Sequence, residues 1–236
     1  MTNANIVLVH GAWADGSSWS SVISLLEKAG YENVQAVQLP LTGLADDFAA
    51  TRRVLNRMSG PTILVGHSYG GAVISGVALA GTQVAGLVYI AAFAPDGDSL
   101  VDINGKFAAP PSAPTISPDK DGFLWLNKDT FGEMFAADVD PAQARLMAAV
   151  EKPIAFTSFL AKVEQPNWRN LPSWYLVCEA DLMINPDAER WMAERMGATT
   201  RSLPGVSHAP MVSQPQAVVA LILAAAAQSA TDSVVA

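Results

Sequence analysis

One pentapeptide in this 236-residue chain has the residue types needed for covalent catalysis: Gly66-His67-Ser68-Tyr69-Gly70. It follows the apolar run Thr62 to Val65 and precedes a helix-compatible run from Ala72 to Leu79, so the serine stands at a strand-to-helix turn. Gly66 and Gly70 carry no Cβ to clash where the chain doubles back, and the serine hydroxyl is pushed outwards. The start of a helix also supplies unpaired amides and a positive dipole end, which favour a developing anion. In that setting Ser68 reads as a nucleophile.

A serine hydroxyl is a poor nucleophile at neutral pH and needs a base within hydrogen-bond reach, usually a histidine oriented by a carboxylate. The chain has three histidines. His67 adjoins Ser68, so its side chain points away from the hydroxyl and is assigned to packing. His10 ends the first apolar run and braces the loop His10-Gly11-Ala12-Trp13. His208, in the loop Pro204 to Pro210 before the last helix, is the base candidate. For the orienting acid, Asp181 follows the run Trp174 to Cys178 through Glu179-Ala180 and is the first choice. Asp96, after Ala91-Ala92-Phe93-Ala94, is the runner-up because it too follows a strand. Asp187, Asp46 and Asp47 fall in first helical turns, where aspartate serves as cap or dipole partner. Acyl transfer also requires donors for the tetrahedral oxyanion. The Tyr69 amide is one, and the loop after the first strand offers the amide of Ala12 or Trp13, with Gly11 permitting close approach.

These groups converge only if the right elements hold them. Strand-length apolar runs occur at Ile6 to Val9, Val34 to Leu39, Thr62 to Val65, Val84 to Ala91, Trp174 to Cys178 and Thr200 to Leu203. Between them, Trp19 to Ala29, Ala45 to Met58, Gly70 to Ala80, Asp187 to Met196 and Pro215 to Ala227 read as helices. Continuous rather than alternating hydrophobicity means strands covered on both faces. The alternation predicts an α/β fold: a doubly wound, mainly parallel sheet of about six strands with right-handed crossovers. Ligands of such sheets bind beyond the carboxyl ends of the strands. The pattern breaks between Pro95 and Leu171, a proline-rich and then aromatic-rich stretch without strand signals. It predicts a helical cap over residues 95–171, inserted into a core of residues 1–94 and 172–236, with its apolar side chains roofing a pocket. Trp13, Phe93, Trp125, Phe131, Phe135, Met183 and Met211 are the candidate lining.

Half of the residues are hydrophobic and only 15% are charged, enough apolar surface for one substantial core. The formal charge of -8 argues against nucleic-acid or anionic-membrane partners. A single cysteine, Cys178, excludes an internal disulfide and lies in an apolar run, as a buried strand residue would. No Cys/His spacing suits a metal, and no glycine-rich loop suits a phosphate. The N-terminus lacks the basic region of a signal peptide, and Ala217 to Ala227 is too short to span a bilayer, so a cytoplasmic protein is expected. The partners admitted are a small-molecule ester and a second copy of the chain in a homodimer.

The order Ser68, Asp181, His208 resembles that of the α/β-hydrolase superfamily. More narrowly, His10-Gly11-Ala12-Trp13, Gly66 to Gly71, Ala91-Ala92-Phe93-Ala94-Pro95 and the surroundings of Asp181 resemble the branch of plant methyl-ester esterases, hydroxynitrile lyases and bacterial esterase-like proteins. The resemblance implies that the oxyanion donors are the amides of Ala12 and Tyr69, that the cap follows the family's sixth strand, and that the two leading strands of the full fold are absent. Lyases of that branch carry a threonine after the first histidine and a lysine soon after the catalytic one; here those places hold Gly11 and the neutral run Ala209-Pro210-Met211. The resemblance therefore implies a carboxylesterase with an acyl-enzyme and no cofactor. The alternatives are a lyase or cofactor-free oxygenase using His208, or a non-catalytic small-ligand receptor.

Overall fold

In the computed structural model, β1 (Asn5–Val9), α1 (Ser20–Lys28), β2 (Val34–Val37), α2 (Leu44–Leu55), β3 (Thr62–His67), α3 (Tyr69–Gly76) and β4 (Val84–Ile90) alternate along the first part of the chain. The middle holds α4 (Leu100–Asn104), β5 (Ile116–Pro118), β6 (Phe123–Leu126), α5 (Phe131–Phe135), α6 (Pro141–Ala149), β7 (Ile154–Ala155) and α7 (Thr157–Leu160). The alternation then resumes with β8 (Ser173–Cys178), α8 (Pro186–Arg195), β9 (Thr199–Leu203), α9 (Pro210–Ser213) and α10 (Pro215–Val235). The structure describes residues 4–235, and side chains up to residue 229. Met1 to Asn3, on which the signal-peptide expectation partly falls, lie outside the described residues.

The main sheet has the order β2-β1-β3-β4-β8-β9, and every neighbouring pair is parallel. Right-handed crossovers place α1 on one face, because the chain steps from β1 to β2 in one direction, and α2 and α3 on the other, because it then steps back across the sheet. The packing agrees: α1 lies against α10, and α2 against α3. With both faces covered, β1, β3 and β8 are buried along their whole length. The edge strand β9 is mostly exposed and carries Arg201, which suits an edge.

The order reverses at β1, whose neighbours are β2 and β3. A crevice therefore opens beyond the carboxyl ends of β1 and β3, the place where doubly wound sheets bind ligands. His10 and Ser68 are the first residues past those two strand ends.

Two local expectations are corrected. The helix expected from Gly70 to Ala80 ends at Gly76, since Val77 turns to extended backbone (ψ 135°). The Asn167 side chain, distant in sequence, donates to the carbonyls of Ile74 and Val77 at 2.9 Å each and satisfies helix-end acceptors. The segment 95–171 also contains strands: β5, β6 and β7 form a small antiparallel sheet. Its hairpin was signalled by Asp121-Gly122, where Gly122 takes φ 82° and Asp119 accepts the amides of Asp121 and Phe123. Among the described residues no helix is long and apolar enough to cross a membrane.

The crowding at the end of β3 yields a stability prediction. A Cβ on Gly70 would lie 2.5 Å from the Val9 carbonyl oxygen, whereas one on Gly43, whose backbone is extended, would meet only Asp46 Oδ2 at 3.7 Å. In urea unfolding, Gly70→Ala should lose at least about 2 kcal/mol, as overpacking against backbone does, while Gly43→Ala stays near wild type. Equal midpoints for the two variants would contradict this packing.

Candidate active site

The turn after β3 forces Ser68 into left-handed backbone, φ 52° and ψ -123°, a conformation that costs a non-glycine residue about 1–3 kcal/mol. Its neighbours hold it there. The Ser68 amide donates to the Ile90 carbonyl at 3.2 Å, and its own carbonyl accepts from Gly71 at 3.0 Å and Phe93 at 3.1 Å. The flanking glycines are required by close approach: a Cβ on Gly66 would lie 2.6 Å from the Gly70 carbonyl oxygen. Gly11 meets the same constraint from the β1 side, since a Cβ there would come within 2.7 Å of Ser68 Cβ.

Three side chains from three strand ends meet at this turn. Ser68 Oγ lies 2.8 Å from His208 Nε2, and His208 Nδ1 lies 2.5 Å from Asp181 Oδ2. The other oxygen of Asp181 accepts the amides of Met183 at 2.6 Å and Ile184 at 2.9 Å, a local turn that fixes the carboxylate. His208 Nδ1 therefore carries the proton donated to Asp181, which leaves Nε2 free to accept from the serine hydroxyl. All three side chains are buried. Tyr69 follows Ser68 in the chain and Ala12 follows Gly11, the residue that closely approaches Ser68, and no hydrogen bond from either backbone amide is found among the described residues.

The remaining histidines stay outside this chain of bonds. His67 makes no hydrogen bond to the Ser68 hydroxyl, and it does more than pack: its Nε2 donates to the His208 carbonyl at 2.7 Å, tying the loop of His208 to β3. Burial holds its pKa well below the usual histidine value. His10 Nε2 accepts the Leu39 amide at 3.0 Å while Nδ1 donates to the Gly11 carbonyl at 2.8 Å, so it braces the loop after β1. Asp96 is ion-paired with Arg169 at 2.6 Å, away from His208. Asp187 pairs with Arg190 in the first turn of α8, whose cap is Asn185.

A cavity of about 390 Å³ opens onto Ser68. Trp13, Phe93 and Met183 line it, as expected, together with Phe107, Phe159, Ile184 and Ser112. Four of the expected lining residues do not. Trp125 is 39% exposed and donates to Asp119 on the outer hairpin. Phe131 and Phe135 are stacked in the core, with Phe135 edge-on to His208 and His67, and Met211 is buried at the start of α9. Aromatic composition alone does not distinguish a cavity wall from the packing behind it. A wider cleft of about 710 Å³ lies beyond Trp13, against α6, and does not reach Ser68. Among the described residues no cluster of His, Cys, Asp or Glu is arranged to hold a metal.

The chain, with a strand-serine-helix turn on a parallel sheet of this order, matches a known family: the family model described as alpha/beta hydrolase aligns with residues 6–221. The chain belongs to the alpha/beta hydrolase family. Among its relatives, methylesterase 2 of Arabidopsis thaliana is 27% identical over 90% of this chain and 92% of that protein. The carbendazim hydrolyzing esterase of a Nocardioides strain is 36% identical, over 46% of this chain and only 50% of that esterase. The crystal structure of a pyrethroid hydrolase from Sphingobium faniae superposes with a TM-score of 0.79 at 25% identity, covering 94% of this chain and 97% of that one.

Within this hydrolase, several contacts around the site were not foreseen. Tyr69 donates its hydroxyl to buried Asp47 Oδ2 at 2.6 Å, and Asp47 Oδ1 accepts the Leu41 amide at 2.8 Å, so the residue after Ser68 is anchored to the start of α2. Burial raises the Asp47 pKa and, with the nearby Asp47 charge, that of Tyr69. Asp138 accepts the amide and hydroxyl of Ser207 and pins the residue before His208. No local pattern announces these long-range pairs.

The buried histidines make stability pH-dependent. Burial drives His10 down to about 4, whereas an unfolded histidine titrates near 6.5. Protons therefore bind the unfolded chain preferentially between those values. This contribution is whole above about pH 6.5, is lost as pH falls towards 4, and amounts to something on the order of 3 kcal/mol. Urea midpoints recorded from pH 7 to pH 4 should fall, and His10→Asn should flatten the slope. An unchanged slope in that variant would exclude a neutral His10.

Proposed function

We propose that this protein is a carboxylesterase that cleaves small, largely apolar, uncharged esters through an acyl-enzyme. Ser68 attacks the ester carbonyl while His208 Nε2 takes its proton, and the tetrahedral oxyanion is held by the amides of Ala12 and Tyr69. His208 then protonates the departing alcohol. Water attacks the acyl-enzyme with His208 again acting as base, and the acid leaves. Asp181 keeps the imidazole in the tautomer that presents Nε2 to the serine and stabilises the imidazolium that forms.

The observation that carries this reading is the unbroken chain from Ser68 Oγ through His208 to Asp181, at 2.8 and 2.5 Å, opening on a cavity. The cavity supports the substrate class. Its volume suits a small ligand, and none of its lining side chains carries a formal charge, so a charged substrate would lose hydration without gaining a partner. Phe93, Phe107 and Phe159 favour an aromatic or branched group beside the ester. The segment 95–171, read as a cap inserted into the core of residues 1–94 and 172–236, supplies much of that wall, including Phe107, Ser112 and Phe159. The named activities of the relatives, esterase, methylesterase and pyrethroid hydrolase, agree with ester cleavage.

A fluorophosphonate probe read by intact mass should add one label per chain at Ser68, and Ser68→Ala should abolish it. Folded protein that stays unlabelled would sink the acyl-enzyme and favour a lyase or receptor. With p-nitrophenyl acetate, Asp181→Asn should lower kcat by a factor on the order of 10⁴, as wrong-tautomer variants do, while Asp96→Asn stays within about threefold. Loss of activity in the Asp96 variant alone would reassign the acid.

A further inference from the structure

A second carboxyl lies against Asp181. Glu189, one turn into α8, is completely buried, and its Oε2 accepts the Cys178 amide at 3.0 Å. Its other oxygen, Oε1, meets no protein donor among the described residues, yet the carboxyl lies in hydrogen-bonding contact with that of Asp181. Two buried carboxylates in contact cannot both ionise cheaply, so the pair shares a proton. The donors decide which partner holds it. Asp181 is served by three, the amides of Met183 and Ile184 and the imidazole of His208, whereas Glu189 is served by one.

The other titratable groups facing Glu189 do not offset its charge. They are the Tyr175 hydroxyl and Cys178 thiol on β8, and Glu179 just beyond it. Asp138 faces the same Cys178. Arg190 follows Glu189 in α8 but is committed to Glu179 and Asp187 at the surface. On the far side of Asp181 stands His208, with His67 behind it. Burial is the dominant cause that holds the Glu189 carboxyl in its protonated form, well above the ordinary glutamate range.

We propose that Glu189 is a positioning residue for the Asp181–His208 pair: protonated at rest, it donates a hydrogen bond to the Asp181 carboxylate, fixing its orientation and tempering its pull on the imidazole. The inference rests on the triad reading above. Glu189 keeps its proton throughout: in acylation the proton passes from Ser68 through His208 to the departing alcohol, and in deacylation from the attacking water through His208 back to Ser68.

Two variants and an infrared difference spectrum of the full chain test it. Glu189→Gln keeps a donor, so kcat/KM should stay within about threefold and its acid limb should not move. Glu189→Leu removes the donor; kcat should fall on the order of tenfold with KM little changed, the loss of one hydrogen bond to a charged group. Its acid limb should also move to higher pH, because an untempered carboxylate favours the imidazolium. The infrared difference between wild type and the Gln variant at neutral pH should contain a protonated-carboxyl stretch that the variant lacks. That band needs no turnover, so it reports on Glu189 even if Ser68 labelling fails. Its absence, or an acid limb shifted to lower pH in Glu189→Gln, would show an ionised Glu189 and overturn the proposal. A foldable Glu189→Leu with the wild-type profile would overturn the positioning role, and if that variant does not fold, the Gln profile and the infrared band still decide.

Discussion

The strained turn at Ser68 is the constraint on which the rest of the structure depends. A left-handed serine is tolerated only where surrounding bonds over-determine it, and here they come from β4 and the loop beyond it, through Ile90 and Phe93. Trp13 and Ala91, just past the ends of β1 and β4, also adopt positive φ. Strain is thus concentrated at one edge of the sheet. The parallel strands supply the rigid support, with β1, β3, β4 and β8 hydrogen-bonded side by side and buried, while the loops at their carboxyl ends carry the deviations.

Around that turn several buried polar side chains are paired with backbone groups or with one another. His10 and His67 are neutral and act on backbone, one holding the loop after β1 and the other holding the carbonyl of His208. Asp47 receives both the Tyr69 hydroxyl and the Leu41 amide. The three histidines, Tyr69 and the carboxyls of Asp47, Asp138 and Asp181 are thereby tied to the Ser68 turn or to its immediate neighbours. In a low-dielectric interior, removing one partner leaves another unsatisfied, which costs more than the bond itself is worth.

The cavity follows a different logic. Its wall is assembled from β-strand loops and from the 95–171 segment, and its lack of charged side chains sets what can enter. Phe131 and Phe135 illustrate the division of labour: they belong to the same 95–171 segment as the cavity residues Phe107 and Phe159, yet they stack on each other, with Phe135 edge-on to His208, outside the cavity lining.

The strand-helix alternation, the elbow and the order Ser68, Asp181, His208 were legible in the chain because each depends on short-range chemistry: strand-length apolar runs, glycines where Cβ atoms would clash, polar residues just past strand ends. Local patterning could not show that α3 stops at Gly76, because the group that satisfies its end, Asn167, arrives from 91 residues beyond. The Asp121-Gly122 turn is a local hairpin signal, but its strands of three and four residues are too short for alternation to show. Which aromatics line the cavity, how Glu189 meets Asp181, and how Asp47 meets Tyr69 were decided only by tertiary structure, since each is a contact between elements whose separation in space no residue spacing encodes. The sequence by itself determined which serine, aspartate and histidine stand past the strand ends; the folded sheet decided their distances, their protonation and the shape of the space they face, because burial and long-range contact set all three.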